Sequence, residues 1–105
     1  GYWTRSLLDP EHAPGPETSG TAFFTYGLLW GMNNGFLDKA TYQPVVEKAW
    51  KYLTTVALQP DGRIGYVQPI GEKAIPGQVV DANSTANFGV GAFLLAACEM
   101  VRFLD

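Results

Sequence analysis

Apolar positions recur at helical spacing in three stretches of the chain, and loops rich in proline and glycine separate them. The pattern predicts helices over about residues 18–30, 42–56 and 85–103. The first and third are apolar on nearly every side, which is typical of helices that are buried all round. The second has one apolar stripe opposite a charged face, so we expect it to lie on the surface.

Polar and small residues mark the ends of these predicted helices. Glu17, Thr18 and Ser19 offer capping oxygens before the first helix, and Thr41 can cap the second. Gly31, followed by Asn33, Asn34 and Gly35, is predicted to end the first helix, because glycine and asparagine are common just beyond a helix C-terminus.

The third helix carries two glycines, Gly89 and Gly91, each costing about 1 kcal/mol of helix stability relative to alanine. That cost suggests that another backbone or a ligand comes close there. Between the second and third helices, residues 63–67 alternate weakly like a strand. Residues 1–6 could pair with them in a short β-ribbon, which would have to pack on the helices to be stable.

The same order of elements occurs twice, with an offset of 64 residues. Each copy predicts a short aromatic strand, a Pro/Gly loop, an acid with small polar residues, and an apolar helix. The identical pairs are Gly1 and Gly65, Tyr2 and Tyr66, Thr21 and Thr85, Ala22 and Ala86, Phe24 and Phe88, and Gly27 and Gly91, while Glu17 matches Asp81 and Ser19 matches Asn83. Alternating internal and external helices are typical of an α/α toroid, and one and a half units cannot close its core.

Composition narrows the possible partners. The chain has 105 residues, of which 47 % are apolar and only 16 % charged, against a usual value of about 25 %. The net charge is −3 and the seven basic residues are scattered, so we expect no nucleic-acid partner. No apolar run reaches the length of about 18 residues that a membrane span requires, so we expect no membrane partner. Because the first and third helices lack a polar face, we expect the isolated chain to self-associate.

Several segments, taken in order, resemble the C-terminal portion of the unsaturated glucuronyl and rhamnogalacturonyl hydrolases, glycoside hydrolase families 88 and 105. They are GYW at residues 1–3, ETSGTAFFTYGL at 17–28, NGFLD at 34–38, YQPV at 42–45, KAW at 48–50, and GVGAFLLA at 89–96 with Glu99. The resemblance covers nearly the whole chain. Two departures are that the family domain is longer than this chain, and that residues 69–81 are short compared with the same loop in some members.

The resemblance implies an all-α fold, a partial (α/α)6 barrel of about three helices ordered inner, outer, inner, with the short β-ribbon. Residues 1–105 would be a C-terminal fragment of that barrel. The family removes 4,5-unsaturated galacturonyl or glucuronyl units from lyase-generated oligosaccharides by hydrating a vinyl ether. Its catalytic aspartate lies earlier in the barrel, so we assign no catalytic residue here and expect the fragment alone to be inactive.

The resemblance also implies partners and a compartment. The expected partners are the unsaturated oligosaccharide and the missing N-terminal part of the same barrel, and no cofactor is expected. A bacterial periplasmic or cytoplasmic location is expected.

Polar residues near the starts of the two internal helices are the candidate substrate-binding rim. These residues are Glu17, Ser19, Ser84, Thr85 and Asn87. Helix N-termini attract anions, and a uronate is an anion. The alternative is that these residues simply cap the two helices, which is the commoner role for such residues. The resemblance favours Ser84 and Thr85, since family 88 members have small hydroxyls near the substrate's acidic group.

Two residues near the N-terminus are further candidates. Trp3 could stack on a sugar ring, although a tryptophan packed between ribbon and helix is the favoured alternative. Arg5 could pair with a substrate carboxylate or with Glu17, and a simply exposed arginine is the other reading.

The remaining reactive or aromatic residues are expected to be structural. His12 stands alone in a proline-rich loop, so no metal site is expected there. Cys98 lies on an apolar helix without a neighbouring base and is expected to be buried and inert. Glu99 is expected to be solvated or paired. Trp30 and Trp50 lie on helical stripes and are expected to pack.

Two other functions remain open. A non-catalytic helical repeat module that binds protein or carbohydrate would also show an internal repeat. A lyase or epimerase on the same fold is the third possibility, because a fold does not determine its chemistry.

Overall fold

The computed structural model describes residues 1–71 and 73–105, and it is helical. Helix α1 is Thr18–Asn33, α2 is Lys39–Tyr52 and α3 is Asn87–Leu104, and a π-helical turn, Leu53–Ala57, continues α2. The number and order of helices agree with the pattern of apolar positions.

Helix α1 is longer than predicted because Gly31 lies inside it rather than at its end. A Cβ on Gly31 would lie 2.6 Å from Leu37 Cδ1, so the glycine makes room for the loop that follows the helix. The helix ends at Asn33, and the backbone N–H of Asn34 donates to the carbonyls of Trp30 and Met32. Gly31 is therefore a packing residue and not a stop signal.

Helix α2 begins before the predicted cap, Thr41. Its N-cap is Asp38, whose Oδ2 accepts hydrogen bonds from the Thr41 backbone N–H at 2.9 Å and from the Thr41 hydroxyl at 2.7 Å. Pro44 consequently lies beyond the first turn, where its ring removes one backbone donor. The cap at Asp38 and the burial of Val46, Ala49 and Tyr52 together offset the cost of that proline.

Helix α3 begins at Asn87, two residues later than predicted, because Ala86 is extended (φ −158°, ψ 154°). The predicted close approach occurs at one of the two glycines. A Cβ on Gly89 would lie 2.5 Å from Val67 Cγ2, whereas nothing lies within 4 Å of a Cβ on Gly91. A side chain, and not a backbone or a ligand, therefore occupies the space at Gly89.

Helices α1 and α3 run parallel and α2 runs antiparallel to both. Near the ends of α1 and α3, Asn33 donates to the Glu99 carboxylate at 2.8 Å. Helix α2 starts beside those ends, where the Lys39 ammonium lies 5.4 Å from the Phe103 ring centroid. It finishes beside the start of α1, where Tyr52 contacts Thr18.

Two core clusters fill the space between the three helices. The cluster near the helix starts contains Ala22, Tyr52, Leu53, Ala57, Ile64, Val67 and Ala92. The other contains Leu29, Met32, Val46 and Met100. Trp50 packs against both clusters and stacks on Phe93 with 5.9 Å between ring centroids, so its predicted packing role is confirmed.

The prediction that α1 and α3 are buried all round is wrong for the described residues. Each helix buries one face and exposes an apolar one. On α1, Phe23 and Trp30 are 47 % and 42 % exposed, and on α3, Leu94 and Leu95 are 56 % and 44 % exposed. Apolar faces of this kind are typical of helices that pack against further structure. These exposed faces are compatible with self-association of the isolated chain, which stays a prediction.

The predicted β-ribbon between residues 1–6 and 63–67 does not form. Among the described residues the only β pairing is an isolated antiparallel bridge between Leu58 and Ile64. The two segments instead bond to the helix starts, since the Trp3 carbonyl accepts from the Glu17 N–H and the Tyr66 carbonyl accepts from the Thr18 N–H. Both segments pair with α1 rather than with each other.

Helix α3 also corrects the expectation that no stretch has the length and polarity of a membrane span. Over Asn87–Leu104 it is long and apolar enough to cross a membrane, by length and composition alone. Core helices of proteins that fold in water meet the same criterion. Residues on one side of α3, such as Ala92, Ala96 and Glu99, pack inside this structure.

The two glycines of α3 make a matched pair for a stability test. We expect Gly89→Ala to destabilise the fold by about 1–3 kcal/mol, because the new methyl group overlaps Val67. Gly91→Ala should stabilise it by up to about 1 kcal/mol, because alanine is the better helix former and the space is open. The measurement is the free energy of unfolding in urea. Equal effects of the two substitutions would contradict the packing described, and adding Val67→Ala should rescue the first.

Candidate functional site: the cleft at the helix starts

The Glu17 carboxylate lies at the start of α1, where it is 2 % exposed. One oxygen, Oε1, accepts from the Gly20 N–H at 2.7 Å and from the Ser19 hydroxyl at 2.7 Å. The other, Oε2, accepts from the Ser19 N–H at 3.1 Å and from the Gln68 N–H at 2.9 Å. Its extended backbone (φ −130°, ψ 117°) makes it the N-cap of α1. The carboxylate thus caps the helix and also holds a loop 51 residues further along the chain.

A second buried polar contact joins the same loop to α1 and α2. The Thr18 hydroxyl donates to the Gly65 carbonyl at 2.6 Å, and its oxygen lies 2.7 Å from the Tyr52 hydroxyl. Since Thr18 has one proton to donate, the Tyr52 hydroxyl is the donor in the second bond. Burial raises the pKa of Tyr52 to about 12, and the nearby Glu17 charge acts in the same direction.

An open cleft of about 330 Å³ lies beside this loop, at the end of the molecule where α3 begins. Its lining combines two basic side chains, two amides and an apolar portion: Arg5, Gln68, Pro69, Ile70, Gly71, Lys73, Ala74, Ile75, Gln78 and Phe88. Among the described residues that line it, none is acidic. We take this cleft as the candidate site.

Arg5 crosses the cleft and fastens its loop to the N-terminal segment. Its Nη1 donates to Gln78 Oε1 at 3.1 Å and to the Ile75 carbonyl at 3.4 Å, and its Nη2 donates to the Gln78 carbonyl at 3.3 Å. Arg5 does not contact Glu17, so the predicted pairing of these two residues is wrong. Its other predicted partner, a substrate carboxylate, stays a prediction.

The other predicted rim residues lie apart from this cleft lining. Ser19 is buried and bonded to Glu17. Ser84 lies in a turn, where its hydroxyl oxygen accepts from the Asp81 N–H at 3.0 Å. Thr85 and Asn87 are exposed at the start of α3.

Capping, the alternative for these residues, is observed at α1 and not at α3. Glu17 is the N-cap of α1 with four donors on its carboxylate. The matching acid of the second repeat, Asp81, lies well before α3, and the N-cap Ala86 has no side-chain bond. The two halves of the repeat therefore differ at the position where they were expected to be equivalent.

Trp3 is half-buried and packs its edge on Phe24, with 5.1 Å between ring centroids. Its backbone N–H donates to the Thr21 hydroxyl at 2.9 Å. It lines an open apolar groove with Leu7, Phe23, Phe24, Gly27 and Leu28. Phe24 thus contacts one part of the indole group, and the part that lines the groove is accessible.

The residues that were expected to be structural differ from one another in exposure and in contacts. His12 is exposed, and within the described part of the chain no three His, Cys, Asp or Glu side chains lie close enough to hold a metal ion. Cys98 is exposed, so its predicted burial is wrong; it lies on the apolar face of α3 that this structure leaves uncovered. Glu99 is buried and paired, accepting from Asn33 and, at 3.2 Å, from Arg102. Trp30 packs at the surface by stacking on Phe36.

Three polar residues of the cleft, Gln68, Lys73 and Gln78, were not singled out from the sequence. They lie in a segment with neither helical nor strand periodicity. The available signal was the run of proline, glycine and polar residues between the second and third helices, which marks an irregular loop where binding residues are common.

Replacing the central carboxylate tests whether it holds the loop. We expect Glu17→Gln to destabilise the fold by about 1–3 kcal/mol, because the amide keeps one acceptor and leaves buried donors unsatisfied. The amide proton of Gln68 should also exchange faster with solvent. The matched control is Glu47→Gln on the exposed face of α2, which we expect to change stability by less than about 0.5 kcal/mol. Equal stabilities of the two variants would exclude this role.

Alkaline pH should report on Tyr52. Its pKa is about 12 in the folded chain and near 10.0 when unfolded, so the unfolded chain loses the proton first. The stabilising contribution is fully present below pH 10 and is lost as pH rises toward 12. Tyr52→Phe should lower the free energy of unfolding by about 1 kcal/mol at neutral pH. The variant should also lack the part of the alkaline loss of stability that Tyr52 causes.

The measurement is the free energy of unfolding at several pH values for the parent chain and the variant. The matched control, Tyr42→Phe, removes a tyrosine that packs on the other core cluster and should retain the alkaline loss. A parallel pH dependence in the parent chain and Tyr52→Phe would contradict the assignment.

Comparison with known proteins places this arrangement among carbohydrate-active enzymes. Two curated relatives are named unsaturated 3S-rhamnoglycuronyl hydrolase. The one from Formosa agariphila is 47 % identical over 102 residues, which are 97 % of this chain and 26 % of the relative. The one from an Alteromonas species is 46 % identical over 101 residues, or 96 % of this chain and 24 % of the relative. The chain spans about a quarter of the length of these relatives.

Solved structures share both the fold and most of the sequence. A glycosyl hydrolase family 88 protein from Bacteroides vulgatus is 77 % identical with a TM-score of 0.91, covering 97 % of this chain and 29 % of the solved one. A structure described as a polysaccharide lyase is 88 % identical with a TM-score of 0.91, covering 98 % and 29 %. The sequence profile of Glycosyl Hydrolase Family 88 matches residues 1–104, and the chain belongs to that family.

Proposed function

We propose that these residues are part of a glycoside hydrolase that removes a 4,5-unsaturated galacturonyl or glucuronyl unit from oligosaccharides made by polysaccharide lyases. The observation that carries the proposal is the identity of 46–47 %, over nearly the whole chain, with two relatives named unsaturated 3S-rhamnoglycuronyl hydrolase. The internal repeat that favoured a non-catalytic binding module is compatible with this family, because a toroid is itself built from repeated helical units.

In this proposal the three helices are consecutive inner, outer and inner helices of an (α/α)6 barrel, and the chain is its C-terminal part. The parallel course of α1 and α3 supports this arrangement, and so does the charged, solvent-facing side of α2. The exposed Phe23, Trp30, Leu94 and Leu95 would be covered by neighbouring helices of the same polypeptide. That remaining part of the barrel is the proposed protein partner.

The proposed reaction is the hydration of an enol ether. A general acid donates a proton to C4 of the sugar ring, and water adds its oxygen to C5 and returns a proton to the base. The resulting hemiketal opens by breaking the bond between C5 and the ring oxygen, which leaves a ketone at C5 and a hemiacetal at C1. The hemiacetal collapses to an aldehyde as its hydroxyl proton is transferred to the glycosidic oxygen, which leaves as an alcohol. We assign neither proton transfer to Glu17, because four donors surround its carboxylate. The acid would come from the earlier part of the barrel.

The chain would contribute binding groups to that reaction. Thr85 and Asn87 are exposed at the start of α3, and Ser84 precedes them, so all three are suited to contact sugar hydroxyls or the uronate. Arg5 has a charge suited to a substrate anion, and the open side of Trp3 suits an apolar sugar face. Glu17 and Ser19 would support the site from beneath, through the loop that carries Gln68.

The test is turnover of an unsaturated glucuronyl–rhamnose disaccharide, followed by the ultraviolet absorbance of its conjugated double bond. We expect the longer polypeptide that contains these residues to remove that absorbance and the 105-residue chain alone to leave it unchanged. The control is the saturated disaccharide, which should not be cleaved. Turnover by the short chain, or cleavage of the saturated sugar at an equal rate, would overturn the proposal.

A lyase is the second candidate, favoured by the solved structure described as a polysaccharide lyase. A lyase creates the conjugated double bond by β-elimination, whereas the proposed hydrolase consumes it. Incubation with the intact, saturated polysaccharide separates the two. A rise in absorbance would indicate a lyase, while a fall on lyase-treated polysaccharide supports the hydrolase.

A further inference from the structure

Tyr66 has a backbone conformation that a tyrosine rarely adopts. Its φ is 62°, and among the described residues it is the only residue other than glycine with a positive φ. A Cβ atom is disfavoured in this left-handed region, so surrounding contacts have to hold the residue there. The neighbouring Gly65 would adopt such a φ freely but is not in this region. The contacts of the loop, and not the preference of its residues, therefore set this conformation.

Thr18, the first residue of α1, makes two bonds that hold Tyr66 in this conformation. Its hydroxyl donates to the Gly65 carbonyl at 2.6 Å, and its backbone N–H donates to the Tyr66 carbonyl at 2.8 Å. These carbonyls belong to the peptide groups before and after the Tyr66 Cα, whose orientations define its φ and ψ. Thr18 is 0 % exposed, so water does not compete for its hydroxyl. One buried residue thus fixes both angles of Tyr66.

Tyr52 of α2 directs the proton of the Thr18 hydroxyl. The two hydroxyl oxygens lie 2.7 Å apart, and Tyr52 is the donor. The bond from Tyr52 occupies a lone pair of the Thr18 oxygen and leaves the Thr18 proton for the Gly65 carbonyl. Helix α1, helix α2 and the loop therefore meet at the Thr18 hydroxyl, and the loop is reached through Thr18 rather than through Tyr52.

The loop that contains Tyr66 also holds the turn that contains Ser84. The Tyr66 N–H donates to the Asp81 carbonyl, and the Val67 N–H donates to the Ser84 carbonyl, each at 2.9 Å. Within the turn, the Ser84 N–H donates to the Asp81 carbonyl at 2.9 Å. Because the two donors of the loop lie on either side of the Tyr66 Cα, a change in its φ or ψ would turn them apart and displace Ser84.

We propose that Thr18 is a positioning residue for the substrate-binding groups of the enzyme. By fixing the peptide groups on both sides of Tyr66, it places the turn that presents Ser84 to the sugar. Thr18 is buried, so it acts on the substrate only through this loop. The inference rests on the proposed function, which gives Ser84 a substrate contact.

The experiment measures KM and kcat separately for variants of the longer polypeptide, with the unsaturated glucuronyl–rhamnose disaccharide as substrate. Thr18→Val keeps the shape of the side chain and removes its hydroxyl. We expect KM to rise about fivefold while kcat stays within about twofold of the parent value, because an interaction made equally in the ground state and the transition state is weakened. A merely structural role would lower the apparent kcat, through loss of folded enzyme, and leave KM unchanged. Thr18→Ser retains the hydroxyl and should keep the parent KM.

Two control variants each remove a buried hydrogen bond of similar kind without releasing the loop. Tyr52→Phe removes the bond to Thr18 and leaves the Thr18 hydroxyl able to donate to Gly65. Thr25→Val removes a bond inside α1, from the Thr25 hydroxyl to the Thr21 carbonyl. Both should lower the melting temperature by about 2 °C and leave KM unchanged.

A double variant guards against failure of Thr18→Val to fold. Thr18→Val leaves the buried Tyr52 hydroxyl without its acceptor, which is costly. Adding Tyr52→Phe removes that unsatisfied donor, so the double variant should melt at a higher temperature than Thr18→Val. Its KM should stay raised about fivefold, because the Gly65 carbonyl still lacks its donor.

Amide hydrogen exchange in the same polypeptide reports on the loop without any substrate. We expect Thr18→Val to speed exchange of the Tyr66 and Val67 amides about fivefold, and Thr25→Val to leave both unchanged. Adding Tyr66→Gly or Tyr66→Ala to Thr18→Val then tests the strain. Both remove the tyrosine side chain, but glycine adopts the left-handed conformation freely, so the Val67 amide should exchange more slowly with glycine than with alanine.

Three results would overturn the positioning role: the parent KM in both variants that carry Thr18→Val, an equal rise of KM in Thr25→Val, or unchanged exchange of the loop amides in Thr18→Val. A raised KM that Thr18→Ser restores would support it. Absence of turnover by the parent polypeptide would overturn the proposed hydrolase activity alone. The exchange rates would then decide whether Thr18 holds the loop, because they require no substrate.

Discussion

The architecture depends on one buried carboxylate, that of Glu17, which bonds both to neighbouring residues and to a residue far along the chain. Glu17 satisfies the first turn of α1 with one set of bonds and holds the Gln68 backbone with another. A buried charge is tolerated only when it is fully hydrogen-bonded, and four donors meet that requirement. Through the bond to Gln68, the residue that caps α1 also attaches the irregular loop to that helix. The candidate cleft takes its position from this attachment, so the same interaction supports stability and the proposed binding.

The apolar faces of α1 and α3 give the second constraint. A small folded chain usually scatters its exposed apolar side chains, whereas here Phe23, Leu94 and Leu95 form neighbouring walls of open grooves. The similarity to proteins about four times as long, by the covered fractions, supplies the physical reason. Surface that belongs inside a larger body has no need of polar side chains, which also accounts for the low fraction of charged residues.

The sequence pattern predicted the helices and the capping role of Glu17, because both are local properties. It did not predict the bond from Glu17 to Gln68, since contacts across 51 residues leave no periodic signal. The start of α2 was misplaced because the rule that restricts proline to the first turn was given more weight than the capping strength of Asp38. The ribbon was wrong because alternation over five residues is weak evidence when the partner strand has no alternation of its own. Lys73 was missed because a charged residue in a loop is usually only solvated.

Helix α1 is bonded to the loop at its start, through Glu17 and Gln68, and to α3 near its end, through Asn33 and Glu99. Sliding of α3 along α1 would break the bond between Asn33 and Glu99, so adaptation has to occur elsewhere. The part of the loop that holds Ile75 and Gln78 is fastened to the N-terminal segment through Arg5, and neither residue belongs to a core cluster. A change in the length of this loop would therefore leave the packing between the helices in place.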